Sequence, residues 1–222
     1  MLIKCFGAAP QGIDAVIVTI EVHAVPGFEF TLVGLPDSAV KESHERIVAA
    51  LTVNGYNRPR HTLTINMAPA DIKKEGAAYD LPLAIGMLAA EEEVKTIQLE
   101  QYMIMGELSL DGTLQPIQGV LPMALAARKA GFKGIILPES NAREAAVVSG
   151  LEVYGLKNLL EVVRFLNQTQ VFEPTRVDTA AEFASHAFTS DLDFSDVRGQ
   201  ENVRRAMEVA AAGGHNMLMV GP

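Results

Sequence analysis

Residues 61–93 read "HTLTINMAPADIKKEGAAYDLPLAIGMLAAEEE", and the hydrophobic period changes in the middle of this stretch. In its first part Leu63, Ile65 and Met67 alternate with polar residues, the pattern of a strand buried on one face. From Asp80 the chain is almost continuously apolar until Glu91, which predicts a buried helix with a solvated acidic end at Glu91–Glu93. Asp80 reads as the N-cap of that helix. A strand followed by a buried helix is one half of a layered α/β unit, so the neighbouring segments decide the class.

Upstream, "IDAVIVTIEVHAV" places Val16, Val18, Ile20 and Val22 on one face and Thr19, Glu21 and His23 on the other, a half-buried strand. "FEFTLVGLP" predicts a second strand that ends at Gly34 and Pro36. Asp37 or Ser38 can cap the next helix, Ser38 reading as a cap rather than a nucleophile, and Val40, His44, Ile47, Val48 and Leu51 form its apolar stripe. Downstream, "YMIMGELSL" predicts a strand, with Asp111-Gly112 as a hairpin turn. A helix over "LPMALAARKAG", a strand over "GIILP", a short helix over "NAREAAVVSG" and a strand over "LEVYGL" follow. The final helix of this part, "NLLEVVRFLN", begins with a capping-box pattern at Asn158 and Glu161. Strands alternate with helices and one hairpin interrupts them, so the expected class is α/β (α+β) with a mixed sheet.

Three regions are expected: a folded domain over residues 1–168, a linker over 169–193 with a short helix near Ala180, and a second element over 194–222. The 222 residues carry a net charge of −9 spread along the chain, which disfavours a broad nucleic-acid surface. No apolar run is long enough for a membrane helix, and the N-terminus does not read as a secretory signal. Cys5 is the single cysteine, so the expected compartment is the cytoplasm.

The last stretch, "DFSDVRGQENVRRAMEVAAAGGHNMLMVGP", predicts a loop, a helix and an apolar strand that stops at Gly221 and Pro222. A strand running into a glycine is how a P-loop begins, and the phosphate-binding Lys and hydroxyl of that motif would lie beyond it. The stretch resembles the opening of an AAA+ ATPase module of the magnesium-chelatase-related group. Together with "FTLVGLPDSAVKESHERIVAALTVNG", "INMAPADIKKEGAAYDLPLAIGML" and "GELSLDGTLQPIQG", it resembles the N-terminal half of the YifB/ComM family over essentially the whole chain.

The resemblance implies a fold similar to the Lon protease proteolytic domain and to ribosomal protein S5 domain 2. It implies that the intact protein is an ATPase using ATP and Mg²⁺, a homo-hexameric ring that acts on DNA by branch migration in natural transformation. The rival implication is a protein-remodelling or metal-chelatase ATPase. The nucleotide-side residues implied are Val197, Gly199, Gln200, Gly221 and Pro222. The chain is expected to stop inside the Walker A motif and to hold no cofactor by itself.

Lon proteases use a Ser-Lys dyad. By resemblance, "KKEGAAYDLPLA" puts Ala78 at the serine position and "PIQGVLP" puts Leu121 at the lysine position. A methyl and an isobutyl group cannot serve as nucleophile and base, so no peptidase activity and no enzymatic residues are expected in this chain. Scattered histidines and one cysteine suggest no metal site. His44 falls on the apolar stripe and reads as a core or interface residue. In "NGYNRPRHT", Arg58 and Arg60 surround Tyr56, and Lys73 and Lys74 are expected nearby across the sheet. These four are the candidate nucleic-acid contacts, although a solvated loop is the favoured reading.

Overall fold

The computed structural model describes residues 2–178 and 193–221. Contacts divide the chain into a unit over Met1–Asp178 and one over Thr179–Pro222.

The first unit is built on a seven-stranded mixed sheet. Two of its strands form a long hairpin: β1 (Leu2–Gln11) pairs antiparallel with β2 (Asp14–Pro26), from Leu2 opposite His23 to Gln11 opposite Asp14. β3 (Phe30–Val33), helix α1 (Ser38–Val53) and β4 (His61–Ala68) follow; β4 runs antiparallel to β2 and parallel to β3. A single 3₁₀ turn at Ala77–Tyr79 leads into α2 (Asp80–Ala90), every residue of which is buried. The rest of the sheet is parallel: β5 (Tyr102–Ile104) beside β1, then β8 (Gly134–Pro138), then β9 (Glu152–Leu156). β6 (Glu107–Leu108) and β7 (Leu114–Gln115) form a separate short hairpin; α3 (Val120–Lys129), α4 (Ala142–Ala146) and α5 (Leu159–Leu166) complete the unit. The strand order is β3-β4-β2-β1-β5-β8-β9.

β1 is central and was not among the expected strands. Its segment Gly7-Ala8-Ala9 is too small to show apolar alternation, and the small size is what the packing needs. A side chain at Gly7 would meet the Met105 sulfur and the Tyr79 ring, and both Ala8 and Ala9 are buried. On one face Cys5 and Val22 touch Gly86 of α2; on the other, Phe6 packs edge-on against Phe132 just beyond α3. Helices on both faces thus bury the sheet, each enclosed Leu or Ile contributing about 1.5–3 kcal/mol.

Several local expectations change. "YMIMGELSL" is not one strand: β5 joins the main sheet and β6 turns away to pair with β7. Of the two cap candidates for α1 the structure uses Asp37, whose carboxylate accepts from Val40 N–H at 2.8 Å. Asn158 does cap α5, accepting from Glu161 N–H, but Glu161 reaches back to Lys157 N–H rather than to Asn158, so the capping box is half formed. Asp80 is not a cap. It is the first residue of α2, fully buried and ion-paired, and Tyr79 in the preceding position offers no side-chain cap.

In the second unit a 3₁₀ turn at Phe194–Asp196 carries a capping box between Asp193 and Asp196. Helix α6 (Glu201–Gly213) starts after Gln200 and stops at Gly214, both in the left-handed region. The expected strand over Asn216–Val220 is absent; no described strand lies against it to form a ladder, and Leu218 and Val220 are nearly fully exposed. The helix expected near Ala180 lies outside the described residues.

Candidate functional site

The 3₁₀ turn before α2 opens onto a cleft of about 730 Å³. One wall is the 73–79 segment, the other Pro116–Gly119 with Met123, and the end of β1 forms the floor. Asp37 ties the first wall together: besides capping α1, its second carboxylate oxygen accepts from Gly76 N–H at 3.0 Å. The Ala78 carbonyl accepts from Gly106 N–H, which holds the turn against the β5–β6 connection. The Tyr79 hydroxyl donates to the Ala8 carbonyl at 3.0 Å, and burial pushes the phenol well above its ordinary range.

Ala78 lines this cleft. Leu121 does not: it lies in the first turn of α3, over a third exposed, and its backbone N–H donates to Glu144. Its neighbours Gly119 and Met123 line the cleft, but Leu121 is not among the lining residues. Among the described residues, the side chains that line the cleft include no serine, threonine, cysteine or histidine. The ionisable groups among the described lining residues are Asp37, Lys73, Glu75, Glu107 and the Tyr79 phenol. Lys73 is paired with Glu75 at 2.6 Å, and this hydrogen bond raises its pKa, so it stays charged and is a poor base. Cys5, the remaining nucleophile class, is buried in the core; burial pushes its thiol up to about 12, far from a reactive thiolate.

The four basic candidates fall in three settings. Arg58 and Arg60 lie together in the exposed loop between α1 and β4, where they line a second recess with Phe28, Phe30 and His44. Lys73 lines the Ala78 cleft instead. Lys74 is fully buried, its ammonium donates to the Pro69 carbonyl, and burial lowers its pKa, so it offers no surface charge. His44 is half-buried and stacks on Phe30 with centroids 4.2 Å apart. In the second unit, Val197, Gly199 and Gln200 are exposed, and Gly199 and Gln200 both have positive φ. Gly221 is exposed, and Pro222 lies outside the described residues.

One feature has no signal in the sequence. Arg46, on α1, makes a two-pronged ion pair with Asp80, Nε to Oδ2 and Nη2 to Oδ1, both at 3.0 Å. Arg46 also donates to the Ala39 carbonyl, and Asp80 accepts from Leu108 N–H. The pair fastens α1, α2 and the β6 hairpin together behind the cleft. Burial raises the Asp80 pKa, against the opposing pull of Arg46.

The family model described as subunit ChlI of Mg-chelatase matches residues 20–141, and a second, described as magnesium chelatase, subunit ChlI, matches residues 193–222. The chain is 41% identical to competence protein ComM of Haemophilus influenzae over 98% of its own length and 43% of that protein. It is 40% identical to YifB of Escherichia coli over 96% of its length and 41% of that protein.

The chain belongs to the YifB/ComM family of magnesium-chelatase-related proteins.

It spans about two fifths of the length of these YifB and ComM relatives. It is also 30% identical to Lon protease 2 of Bacillus subtilis over 62% of its length and 24% of that protein. The mixed seven-stranded sheet and this similarity give the YifB/ComM chain a Lon proteolytic-domain-like fold, the ribosomal protein S5 domain 2-like class. Among the described residues no helix is long and apolar enough to cross a membrane.

Proposed function

We propose that residues 1–168 are a non-proteolytic, Lon-like accessory domain, and that residues 194–222 begin the AAA+ module of an ATPase that works on DNA. The observation that carries the first part is Ala78 in a cleft whose described lining holds no serine, threonine, cysteine or histidine, its one hydroxyl, on Tyr79, being engaged by the Ala8 carbonyl. Support for the second part is the match of residues 193–222 to a magnesium chelatase model and the likeness to a competence protein. In this reading the intact protein is a cytoplasmic homo-hexamer that uses ATP and Mg²⁺ for branch migration. Val197, Gly199 and Gln200 lie beside the adenine, and Gly221 and Pro222 open the phosphate loop. The chelatase description of the family favours a second reading, an ATPase that drives metal insertion or protein remodelling.

Two measurements test the proposal. ATP hydrolysis by the intact protein should rise several-fold with branched or single-stranded DNA, and removing residues 1–168 should uncouple that response. An ATPase indifferent to every DNA but stimulated by a metal-free porphyrin would establish the chelatase reading instead. Incubation of the chain with casein should give no cleavage. Ala78→Ser should remain inert, because it supplies a hydroxyl but no neutral base: Lys73 is held charged by Glu75. Cleavage by Ala78→Ser that a serine-directed reagent abolishes would overturn this account of the cleft.

A further inference from the structure

We propose that the recess beside Arg58 and Arg60 takes a single-stranded nucleic acid, with a base stacked on Phe28 and the adjoining phosphates on the two guanidiniums. The proposal rests on the DNA reading above and names the place of contact. The recess measures about 500 Å³ and lies between the turn preceding β3, α1 and the α1–β4 loop. Phe28 is 87% exposed at its rim, an orientation that leaves the whole ring face open to a ligand. Behind it, the stacked rings of Phe30 and His44, inclined by 28°, give a second aromatic surface.

Arg58 and Arg60 are exposed, and among the described residues neither side chain has a carboxylate partner. The acidic groups around them are engaged or turned to solvent. Glu91 holds the Arg60 backbone N–H at 2.9 Å and His61 Nδ1 at 2.8 Å, which fastens the arginine loop. Glu45 lies 3.4 Å from His44 Nδ1, and Glu29 is exposed at the rim. The turn carrying Phe28 is fastened too: Glu29 N–H donates to Thr62 Oγ1, and Leu63 N–H donates to the Glu29 carbonyl. Aromatic faces beside unpaired guanidiniums on an anchored loop match the stacking-plus-phosphate chemistry of single-strand binding. A duplex would not serve, because its base faces are covered by their neighbours.

The net charge of −9 confines the attraction to this spot. With about two phosphates neutralised, the logarithmic salt slope should be about −1.4. The test is fluorescence anisotropy of a labelled 20-residue oligothymidylate titrated with the 222-residue chain at several salt concentrations. The strand should bind with that slope, and a duplex of equal length should bind at least ten-fold more weakly. Phe28→Ala should weaken strand binding about ten-fold at unchanged thermal stability, in the range of one lost base stack. The double variant Arg58→Ala/Arg60→Ala should bring the slope near zero. A wild-type chain that does not bind at low salt, or variants that bind as wild type does, would overturn the proposal. Displacement by thymidine monophosphate at the strand's own concentration would assign the recess to a free nucleotide, and displacement by polyglutamate to an acidic peptide; either result overturns the strand assignment. DNA-stimulated ATP hydrolysis that persists in intact Phe28→Ala protein, with these binding results negative, removes the site and leaves the DNA reading standing.

Discussion

Arg46→Ala is expected to destabilise the first unit by about 3–5 kcal/mol at neutral pH, the usual cost of stripping one partner from a buried ion pair. Asp80 is fully buried, and its carboxylate relies on both prongs of Arg46 plus the Leu108 N–H. Without Arg46 the charge remains enclosed beside α2. The pH dependence gives the mechanism away. Burial already raises the Asp80 pKa above its ordinary value of 3.8, and Arg46 opposes that rise. In the variant the opposition is gone and the pKa climbs further. A carboxyl with a raised folded-state pKa favours folding when protonated; that contribution is present below the unfolded value and is lost as pH rises through the folded value. The deficit relative to the unsubstituted chain should therefore be largest at neutral pH and shrink on acidification toward 3.8. Urea unfolding followed by tyrosine near-ultraviolet dichroism, at pH 7.5 and pH 5, measures it. A loss below about 1 kcal/mol would place the pair among ordinary surface bridges.

Gly34→Ala is expected to cost about 3 kcal/mol or more, combining backbone strain with a steric conflict that no side-chain rotation relieves. Gly34 follows β3 with φ of 102°, and a Cβ there would sit 2.2 Å from the Met67 carbonyl oxygen of β4. Either β3 would separate from β4 or the connection to α1 would shift, moving Asp37 and its bonds to Val40 and Gly76 at the cleft. Gly55 separates the two components. It also has positive φ, 85°, but a Cβ there would meet nothing within 4 Å. Gly55→Ala should therefore cost only the left-handed strain, about 1–2 kcal/mol. Equal losses for the two substitutions, read from the same urea transition, would show that the β4 contact is dispensable.

Periodicity made most of the elements legible. The alternation around Val18, Ile20 and Val22, the stripe through Val40, Ile47 and Leu51, and the apolar run from Leu81 to Ala90 each report a buried face directly, because side-chain direction follows from backbone geometry. β1 escaped because its central residues are small. Their burial is imposed by Met105 and Tyr79, which come from distant parts of the chain. The break between β5 and β6 escaped for a related reason: Gly106 and Glu107 mark it only faintly, and the different partners β8 and β7 divide the segment.

The functional surfaces divide in the same way. The sequence by itself determined the family, the fold class and the identity of the residue at position 78, since these reside in local pattern and in the order of motifs. Only the tertiary structure decided what meets what. It buried Lys74 and left Arg58 and Arg60 outside, joined Arg46 to Asp80, and brought Phe28 and His44 beside an arginine loop. The physical reason is that a residue's charge, reactivity and reach depend on its solvation and neighbours. Those are set by packing between segments far apart in the chain.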